Sequence, residues 1–283
     1  MTTAEVTEDG VVLSARNLGM TYRAPVREAG LRAALRSVVH REHREIEAVA
    51  ELSFDLRAGE VVGFIGPNGA GKTTTLKILS GVLHPTSGEA RVLGFVPWRR
   101  QRDYLKRIAL VRGSQPISGP AELTVMDSLR YQQVLYEVPR SDFDATIDEL
   151  VDLLELASLL DRQVRALSLG ERMRAGLATT MVYRPKVLFL DEPTLGLDVS
   201  AAATFRRFIA NYATRTGATV LLTSHYMADV EALCRRVILI DRSRVRYDGE
   251  LGSLAAKLSP GRLIDENPPL ELVLDRFYRD AER

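Results

Sequence analysis

The sequence EVVGFIGPNGAGKTT, residues 60–74, is the part of this chain that says most about its fold. After Glu60 the first residues are almost continuously apolar, as expected of a strand covered on both faces. The glycines of residues 66–71 allow successive backbone N–H groups to turn inward around phosphate oxygens. A helix beginning near Lys72 would direct the positive end of its dipole at the same oxygens. The stretch therefore predicts a P-loop between a strand and a helix.

The residue types of this loop assign chemistry to it. Lys72 supplies a mobile cation for the phosphates, and the Thr73 hydroxyl is placed to ligate Mg²⁺. An accidental glycine turn is disfavoured by the predicted strand before the loop and the predicted helix after it. The predicted nucleotide-binding residues of the loop are Gly66, Pro67, Asn68, Gly69, Ala70, Gly71, Lys72, Thr73 and Thr74.

A second apolar strand, predicted over residues 187–190, ends in the adjacent carboxylates Asp191 and Glu192. Neighbouring residues on a strand point to opposite sides. One carboxylate can therefore serve the metal while the other faces a water near the γ-phosphate. We assign Asp191 to Mg²⁺ and Glu192 to polarising the attacking water. Taken alone, such a pair suits the start of the next helix equally well, and the P-loop decides for catalysis.

Composition limits the class of protein. The chain has 283 residues, enough for one large domain or two small ones. Its formal net charge of +1 gives no electrostatic reason to expect nucleic acid as a partner. The single cysteine, Cys234, is expected to be a small buried apolar residue. No stretch approaches the roughly 18 apolar residues of a membrane span, and the first ten residues lack the features of a signal peptide.

Strands alternate with helices along the chain, which favours an α/β fold with a mainly parallel core sheet. Apolar runs predict strands over 11–22, 46–56, 60–65, 187–190 and 218–223, and a closing hairpin over 237–247. Helical spacing predicts helices from Lys72, over 142–162 and over 169–183. The stretch 115–165 is rich in helix signal, so we expect a helical subdomain, at about 115–180, inserted in the core.

Two segments lie outside this alternation. Residues 26–47 carry apolar residues at helical spacing with arginines between them, which predicts a basic helical insertion. Such a helix suits anionic headgroups or permease loops, and a solvated helix explains the pattern equally well. At the other end, residues 259–283 form a short extension in which Pro268-Pro269 precedes a predicted charged helix over 270–282.

Leu167-Ser168-Leu169-Gly170-Glu171 opens a predicted helix before the acidic strand and resembles the LSGGQ signature of the ATP-binding cassette (ABC) ATPases. The chain resembles that family over nearly all of residues 11–258, which implies one nucleotide-binding domain. In the family, this serine and its neighbouring amides bind the γ-phosphate of the ATP on the opposite subunit. The resemblance implies that role for Ser168, Gly170 and Glu171. Leu169 and Glu171 depart from the family's glycine and glutamine, and Ser168 with Glu171 also fits a helix capping box.

The remaining family motifs follow in order. Gln115 is similar to the Q-loop glutamine, which contacts Mg²⁺ or water, and Asp198 to the D-loop aspartate, which crosses the dimer interface. His225 is similar to the switch histidine, and Tyr22 to the aromatic residue that stacks on adenine. The resemblance implies ATP and Mg²⁺ as cofactors. It also implies catalytic residues Lys72, Gln115, Glu192 and His225, and metal-binding residues Thr73, Gln115 and Asp191.

Residues 30–35 and 93–98, with the Pro-Pro pair, resemble the viologen-exporter-like branch of bacterial ABC exporter ATPases. The resemblance implies an ATPase subunit that dimerises, with itself or a homologue, around two ATP molecules. It would drive a separate transmembrane permease from the cytoplasmic side of the cell membrane, as a peripheral protein. Two alternatives stay open: an ATPase of a polysaccharide or glycolipid exporter, and a non-transport ABC ATPase.

Overall fold

The computed structural model describes residues 10–25, 43–113 and 119–258. Within them the larger sheet consists of β3 (Val61–Ile65), β5 (Ile108–Arg112), β6 (Val187–Asp191), β7 (Thr219–Thr223), β8 (Arg236–Asp241) and β9 (Arg244–Glu250). The strand order is β5-β6-β7-β3-β8-β9, and every neighbouring pair is parallel except β8 with β9. The carboxyl ends of β3, β6 and β7 therefore lie along one edge of this sheet.

The smaller sheet is antiparallel and has the order β2-β1-β4. Its strands are β1 (Val11–Pro25), β2 (His43–Arg57) and β4 (Ser87–Val92). Register shifts interrupt the long β1–β2 ladder at several points, and such bulges increase the local twist of a strand pair. Phe54 of β2 packs against Phe64 of β3 with ring centroids 5.4 Å apart, so the two sheets share a hydrophobic core.

Eight α-helices lie in the described residues: α1 (Lys72–Leu79), α2 (Arg102–Leu105), α3 (Val125–Leu135), α4 (Arg140–Leu153), α5 (Leu169–Met181), α6 (Val199–Thr216), α7 (Met227–Leu233) and α8 (Leu251–Leu258). Helices α3, α4 and α5 follow one another between β5 and β6. None of these eight helices is both long and apolar enough to span a membrane.

The six-stranded sheet separates two hydrophobic cores. On β6, Leu188 and Leu190 face the core shared with α3, α4, α5 and α6. The alternate residues Val187 and Phe189 face the core shared with α1 and the smaller sheet. All five residues of β6 are buried, as expected for a parallel strand covered on both faces. This packing fixes the position of the acidic end of the strand.

The predicted α/β fold, with a mainly parallel core sheet, an antiparallel region and an inserted helical region, is confirmed by this topology. Strands β4 and β5 were not predicted. The helix predicted over 142–162 is wrong at its end, because α4 stops at Leu153. Glu155 has a φ of 53°, and a left-handed residue just past the last turn ends a helix. Cys234 is buried, as expected.

The boundary predicted for the basic insertion is also wrong at one end. Residues 43–47 belong to β2, where Glu45 pairs with Arg23 and Ile46 with Tyr22 of β1. Cross-strand pairing with the end of β1 continues the strand beyond the predicted start. The rest of the insertion, the extension from residue 259 and Gln115 lie outside the described residues.

Candidate functional site

The phosphate loop joins β3 to α1 and leaves no space for side chains at two of its glycines. A Cβ atom added to Gly66 would lie 2.3 Å from the carbonyl oxygen of Ile240. One added to Gly71 would lie 2.4 Å from the carbonyl oxygen of Ala48, and Gly71 has a φ of 98°. Both positions therefore require glycine. Asn68 and Gly69 at the tip of the loop are exposed, while Ala70 is buried and Thr74 half-buried.

The Lys72 ammonium group folds back onto this loop. Its Nζ atom donates hydrogen bonds to the carbonyl oxygens of Gly66, at 2.6 Å, and Pro67, at 3.0 Å. Burial lowers the pKa of Lys72, and the negative charges of Glu192 and Asp191 oppose that shift. Charged phosphate oxygens are stronger acceptors than carbonyl oxygens. The cation is therefore placed to exchange these contacts for hydrogen bonds to a nucleotide.

Two hydroxyl groups converge on the Asp191 carboxylate. Thr73 Oγ1 donates to Asp191 Oδ1 at 2.9 Å, and Thr223 Oγ1 donates to the same oxygen at 3.0 Å. Asp191 is 9% exposed. No group of three or more His, Cys, Asp or Glu residues that could hold a metal occurs in the part of the chain that the structure describes. A single carboxylate with a hydroxyl beside a phosphate loop fits Mg²⁺, which takes oxygen ligands and shares them with substrate phosphates.

Glu192 lies beside Asp191 and contacts His225. Glu192 Oε1 and His225 Nε2 are 2.8 Å apart. The Glu192 backbone is left-handed, with a φ of 49°, a conformation that costs energy in a residue other than glycine. Its N–H group donates to both the carbonyl oxygen and Oγ1 of Thr223, at 3.0 and 3.1 Å. Glu192 and His225 are both part-exposed, with side chains 23% and 38% accessible, so water reaches them.

The signature residues at the start of α5 form a capping box. Ser168 Oγ accepts the Glu171 N–H at 3.3 Å, and Glu171 Oε2 accepts the Ser168 N–H at 2.8 Å. Arg162 pairs with Glu171 at 2.6 Å. The pKa of the Glu171 carboxyl is lowered, most strongly by the hydrogen bond from the Ser168 N–H and next by the contact with Arg162. Ser168 is exposed, so its hydroxyl serves the helix and remains open to solvent.

The signature helix also contacts the loop after Glu192. A Cβ atom added to Gly196 would lie 3.3 Å from Leu169 Cδ2, and one added to Gly170 would lie 3.2 Å from the Ala201 Cβ atom. Asp198 caps α6 by accepting the Ala201 N–H at 2.8 Å. The unusual Leu169 therefore lies beside Gly196 of the same chain.

The structure thus brings five predicted residues together at the carboxyl edge of the sheet, namely Lys72, Thr73, Asp191, Glu192 and His225. Ser168, Gly170 and Glu171 form a second group with Asp198 nearby. Tyr22 is 37% exposed on β1, opposite Ile46.

Sequence reasoning missed the role of Thr223. The feature that indicates this role is the position of Thr223 at the end of β7. Strand β7 pairs in parallel with β6, and Thr223 is in register with Asp191. Only the order of strands in the sheet reveals that register.

Comparison with known proteins adds a family to this geometry. The family model described as "ABC transporter" matches residues 49–195. The chain is 35% identical over 210 residues to the ABC transporter ATP-binding protein NatA of Bacillus subtilis, covering 74% of this chain and 84% of NatA. It is 34% identical over 218 residues to the Nod factor export ATP-binding protein I of Paraburkholderia xenovorans, covering 77% and 71%. It is 30% identical over 237 residues to the bacitracin transport ATP-binding protein BcrA of Bacillus licheniformis, covering 82% and 75%.

Two solved structures share the fold. An ATP-binding subunit of an ABC transporter matches with a TM-score of 0.77 and 21% identity, over 94% of this chain and 99% of that chain. The ATP-binding cassette MJ0796, described as a dimeric post-hydrolysis state bound to ADP and Pi, matches with a TM-score of 0.68 and 20% identity, over 84% and 98%. At these identities the likeness concerns the fold alone.

Proposed function

We propose a function for this chain, which belongs to the ABC transporter family as an ATP-binding and ATP-hydrolysing subunit. It works in a bacterial exporter of the viologen-exporter-like branch, docked at the cytoplasmic face of the membrane. Two such subunits, identical or homologous, close around two ATP molecules and drive a separate transmembrane permease. The names of two relatives, for Nod factor export and bacitracin transport, support the direction of transport.

The observation that carries the proposal is the connected set from Thr73 through Asp191 to Glu192 and His225. Lys72 binds the β- and γ-phosphates, and Thr73 with Asp191 would hold Mg²⁺, which would neutralise phosphate charge. Glu192 accepts a hydrogen bond from the attacking water and so aligns its oxygen with the γ-phosphorus. His225, held by Glu192, contacts the γ-phosphate. The water oxygen bonds to the γ-phosphorus as the bond from that phosphorus to the β,γ-bridging oxygen breaks; the water's proton passes to the phosphate product or to solvent, and phosphate and ADP leave.

A composite site across a dimer explains the exposed residues around the signature. Ser168 offers a hydroxyl to a γ-phosphate, and the first turn of α5 offers backbone N–H groups. Apolar side chains are exposed on the neighbouring loops and helix ends: Leu169, Leu195, Val199 and Tyr226. Exposed apolar surface of this kind favours a protein interface. We assign it to the second ATPase subunit.

The permease is assigned a different surface. Tyr131 and Leu135 of α3, with Val82 after α1, are about half exposed, and they line a groove of about 480 Å³. The groove lies between the helical subdomain and the core sheet, and residues of β5 and α5 complete it. A groove between two subdomains, lined by both apolar and polar side chains, suits a helix of a permease loop, because any rotation of the subdomain would move that helix.

Dimerisation tests the composite site. Glu192→Gln should bind ATP without hydrolysing it and sediment as a dimer with ATP and Mg²⁺, but as a monomer with ADP. Adding Ser168→Arg to the Glu192→Gln variant should abolish the dimer, because the bulky, charged arginine side chain would occupy the interface. Ser158→Arg is the matched control, since Ser158 is exposed on the helical subdomain. A Glu192→Gln protein that stays monomeric with ATP, or a dimer unaffected by Ser168→Arg, would contradict the proposal.

A further inference from the structure

A fully buried carboxylate connects the two loops that carry Glu192 and His225. Asp229, in the first turn of α7, has no exposed surface. Its Oδ2 atom accepts hydrogen bonds from Ser224 Oγ, at 2.9 Å, and from Thr194 Oγ1. Its Oδ1 atom accepts from Arg206 Nη1 of α6 at 2.8 Å. The loop after β6, the loop after β7, α6 and α7 therefore meet at this carboxylate.

The two hydroxyl donors flank the catalytic pair. Thr194 follows Glu192 by two residues, and Ser224 immediately precedes His225. Ser224 Oγ also accepts the N–H of Tyr226 at 3.0 Å, so it holds the backbone on both sides of His225. In the loop after β6, the Leu195 N–H donates to the carbonyl oxygen of Glu192 at 3.1 Å. This hydrogen bond closes a turn that contains Thr194 and begins at Glu192.

We propose that Asp229 is a positioning residue that fixes Glu192 and His225 relative to each other, with Arg206 as its counter-ion. The proposal rests on the roles assigned above to Glu192 and His225. Asp229 acts through Thr194 and Ser224. A strained Glu192 backbone needs such support, since surrounding contacts must hold a left-handed residue in place.

Both oxygens of the Asp229 side chain act as hydrogen-bond acceptors. Each hydroxyl has one proton to donate, and only an acceptor-only group satisfies Thr194, Ser224 and Arg206 at once. An asparagine side chain at this position would be close in shape but would direct an N–H₂ group at either the hydroxyls or the guanidinium. In either orientation the three contacts cannot all be kept, and because both hydroxyl links share Oδ2, Asp229→Asn should loosen both loops while changing little volume.

The test compares steady-state ATP hydrolysis by the full chain and its variants. Asp229→Asn should lower kcat by about 10- to 100-fold, as expected for a misplaced catalytic group, with KM for ATP within about twofold. Thr194→Val and Ser224→Ala each cut one link, leave the Asp229–Arg206 pair intact, and should lower kcat less. Adding Thr194→Val to Asp229→Asn should cause no further loss. Thr219→Val is the matched control, because it removes a buried hydroxyl at the opposite end of β7.

Amide hydrogen exchange of the same proteins gives a readout independent of turnover. In Asp229→Asn, segments 192–197 and 223–228 should both exchange faster, whereas Thr219→Val should leave both unchanged. An unchanged kcat in Asp229→Asn, additive losses with Thr194→Val, or faster exchange in only one segment would overturn the proposal. If Asp229→Asn fails to fold, Thr194→Val and Ser224→Ala test the proposal in its place. An unchanged kcat in both of these variants would overturn the positioning role of Asp229. A Glu192→Gln variant with wild-type rate would instead refute the catalytic assignment.

Discussion

Thr223 connects both acidic residues of the site at the level of single atoms. Its hydroxyl donates to Asp191 Oδ1 and accepts the N–H of Glu192, and it is fully buried. The same side chain thus orients the metal carboxylate and supports the left-handed backbone of Glu192. Partners of this kind, which touch a ligand rather than the metal, set affinity by fixing the orientation of that ligand.

Thr223→Val should therefore weaken Mg²⁺ binding and hydrolysis together. Valine keeps the shape, and the Glu192 N–H still reaches the Thr223 carbonyl oxygen at 3.0 Å. We expect the Mg²⁺ concentration for half-maximal ATPase activity to rise about 10-fold or more. Titrating Mg²⁺ at saturating ATP measures it. An unchanged midpoint would show that the hydroxyl does not orient Asp191.

At the scale of elements, α5 uses Ser168 twice, as its N-cap and as the proposed phosphate ligand. Both interpretations of this serine from the sequence suit the structure, because the capping hydroxyl is exposed. The two roles make different demands on the residue. An N-cap accepts any side chain with a suitable oxygen, whereas a phosphate ligand must not carry a negative charge.

Ser168→Ala and Ser168→Asp separate these roles. Alanine should lower the free energy of unfolding by about 1 kcal/mol and lower ATPase activity as well. Aspartate should restore the stability, since it caps well, but leave activity low because it repels the γ-phosphate. Urea denaturation and ATPase assays measure the two effects. Thr124→Ala is the control: it removes the matching capping box of α3 and should cost similar stability.

Activity restored by Ser168→Asp would contradict the phosphate role. Stability unchanged in Ser168→Ala would contradict the capping role.

The elements that could be predicted from sequence are those with a local signal. Strands β3 and β6 are apolar runs beside the phosphate loop and the acidic pair. Strand β4 has three exposed residues at its start and is stabilised by pairing with β1, far away in sequence, so no local pattern marks it. β5 is a five-residue run whose pairing with β6 is also non-local.

In the candidate site, too, some residues can be recognised from the sequence and others cannot. Lys72, Asp191 and Glu192 stand out through motif chemistry. The roles of Thr223 and Asp229 emerge only when β6, β7 and α7 meet, because Asp191, which binds Thr223, and Thr194, which binds Asp229, lie tens of residues away in the chain.

At the scale of the whole molecule, Cys234 reports on global opening. The thiol lies beside Gly63 of β3, where an added Cβ atom would be 3.5 Å from its Sγ atom. Burial raises the pKa of Cys234 to about 12, and the charge of Asp229 acts in the same direction. At pH 8 the native thiolate fraction is therefore on the order of 10⁻⁴, against about a quarter for an exposed thiol.

A thiol-specific chromogenic disulfide at pH 8 should accordingly label native protein slowly and unfolded protein at once. Because a ligand that binds only the folded state stabilises it, ATP with Mg²⁺ should slow the labelling further. Since Cys234 is the only cysteine, the signal has a single origin. Rapid labelling of the native protein would contradict the burial of this core.

Our proposal requires that two ATPase subunits share the hydrolysis of ATP, with Glu192 aligning the water, and two copies of this chain would form that pair in a purified sample. The most direct measurement is the ATPase rate of the purified chain at increasing protein concentration, for the wild type and for Glu192→Gln. We predict a wild-type rate that rises faster than linearly with concentration, and at least about a 100-fold loss in the variant. A rate that is linear in concentration and survives Glu192→Gln would contradict both the shared site and the role of Glu192.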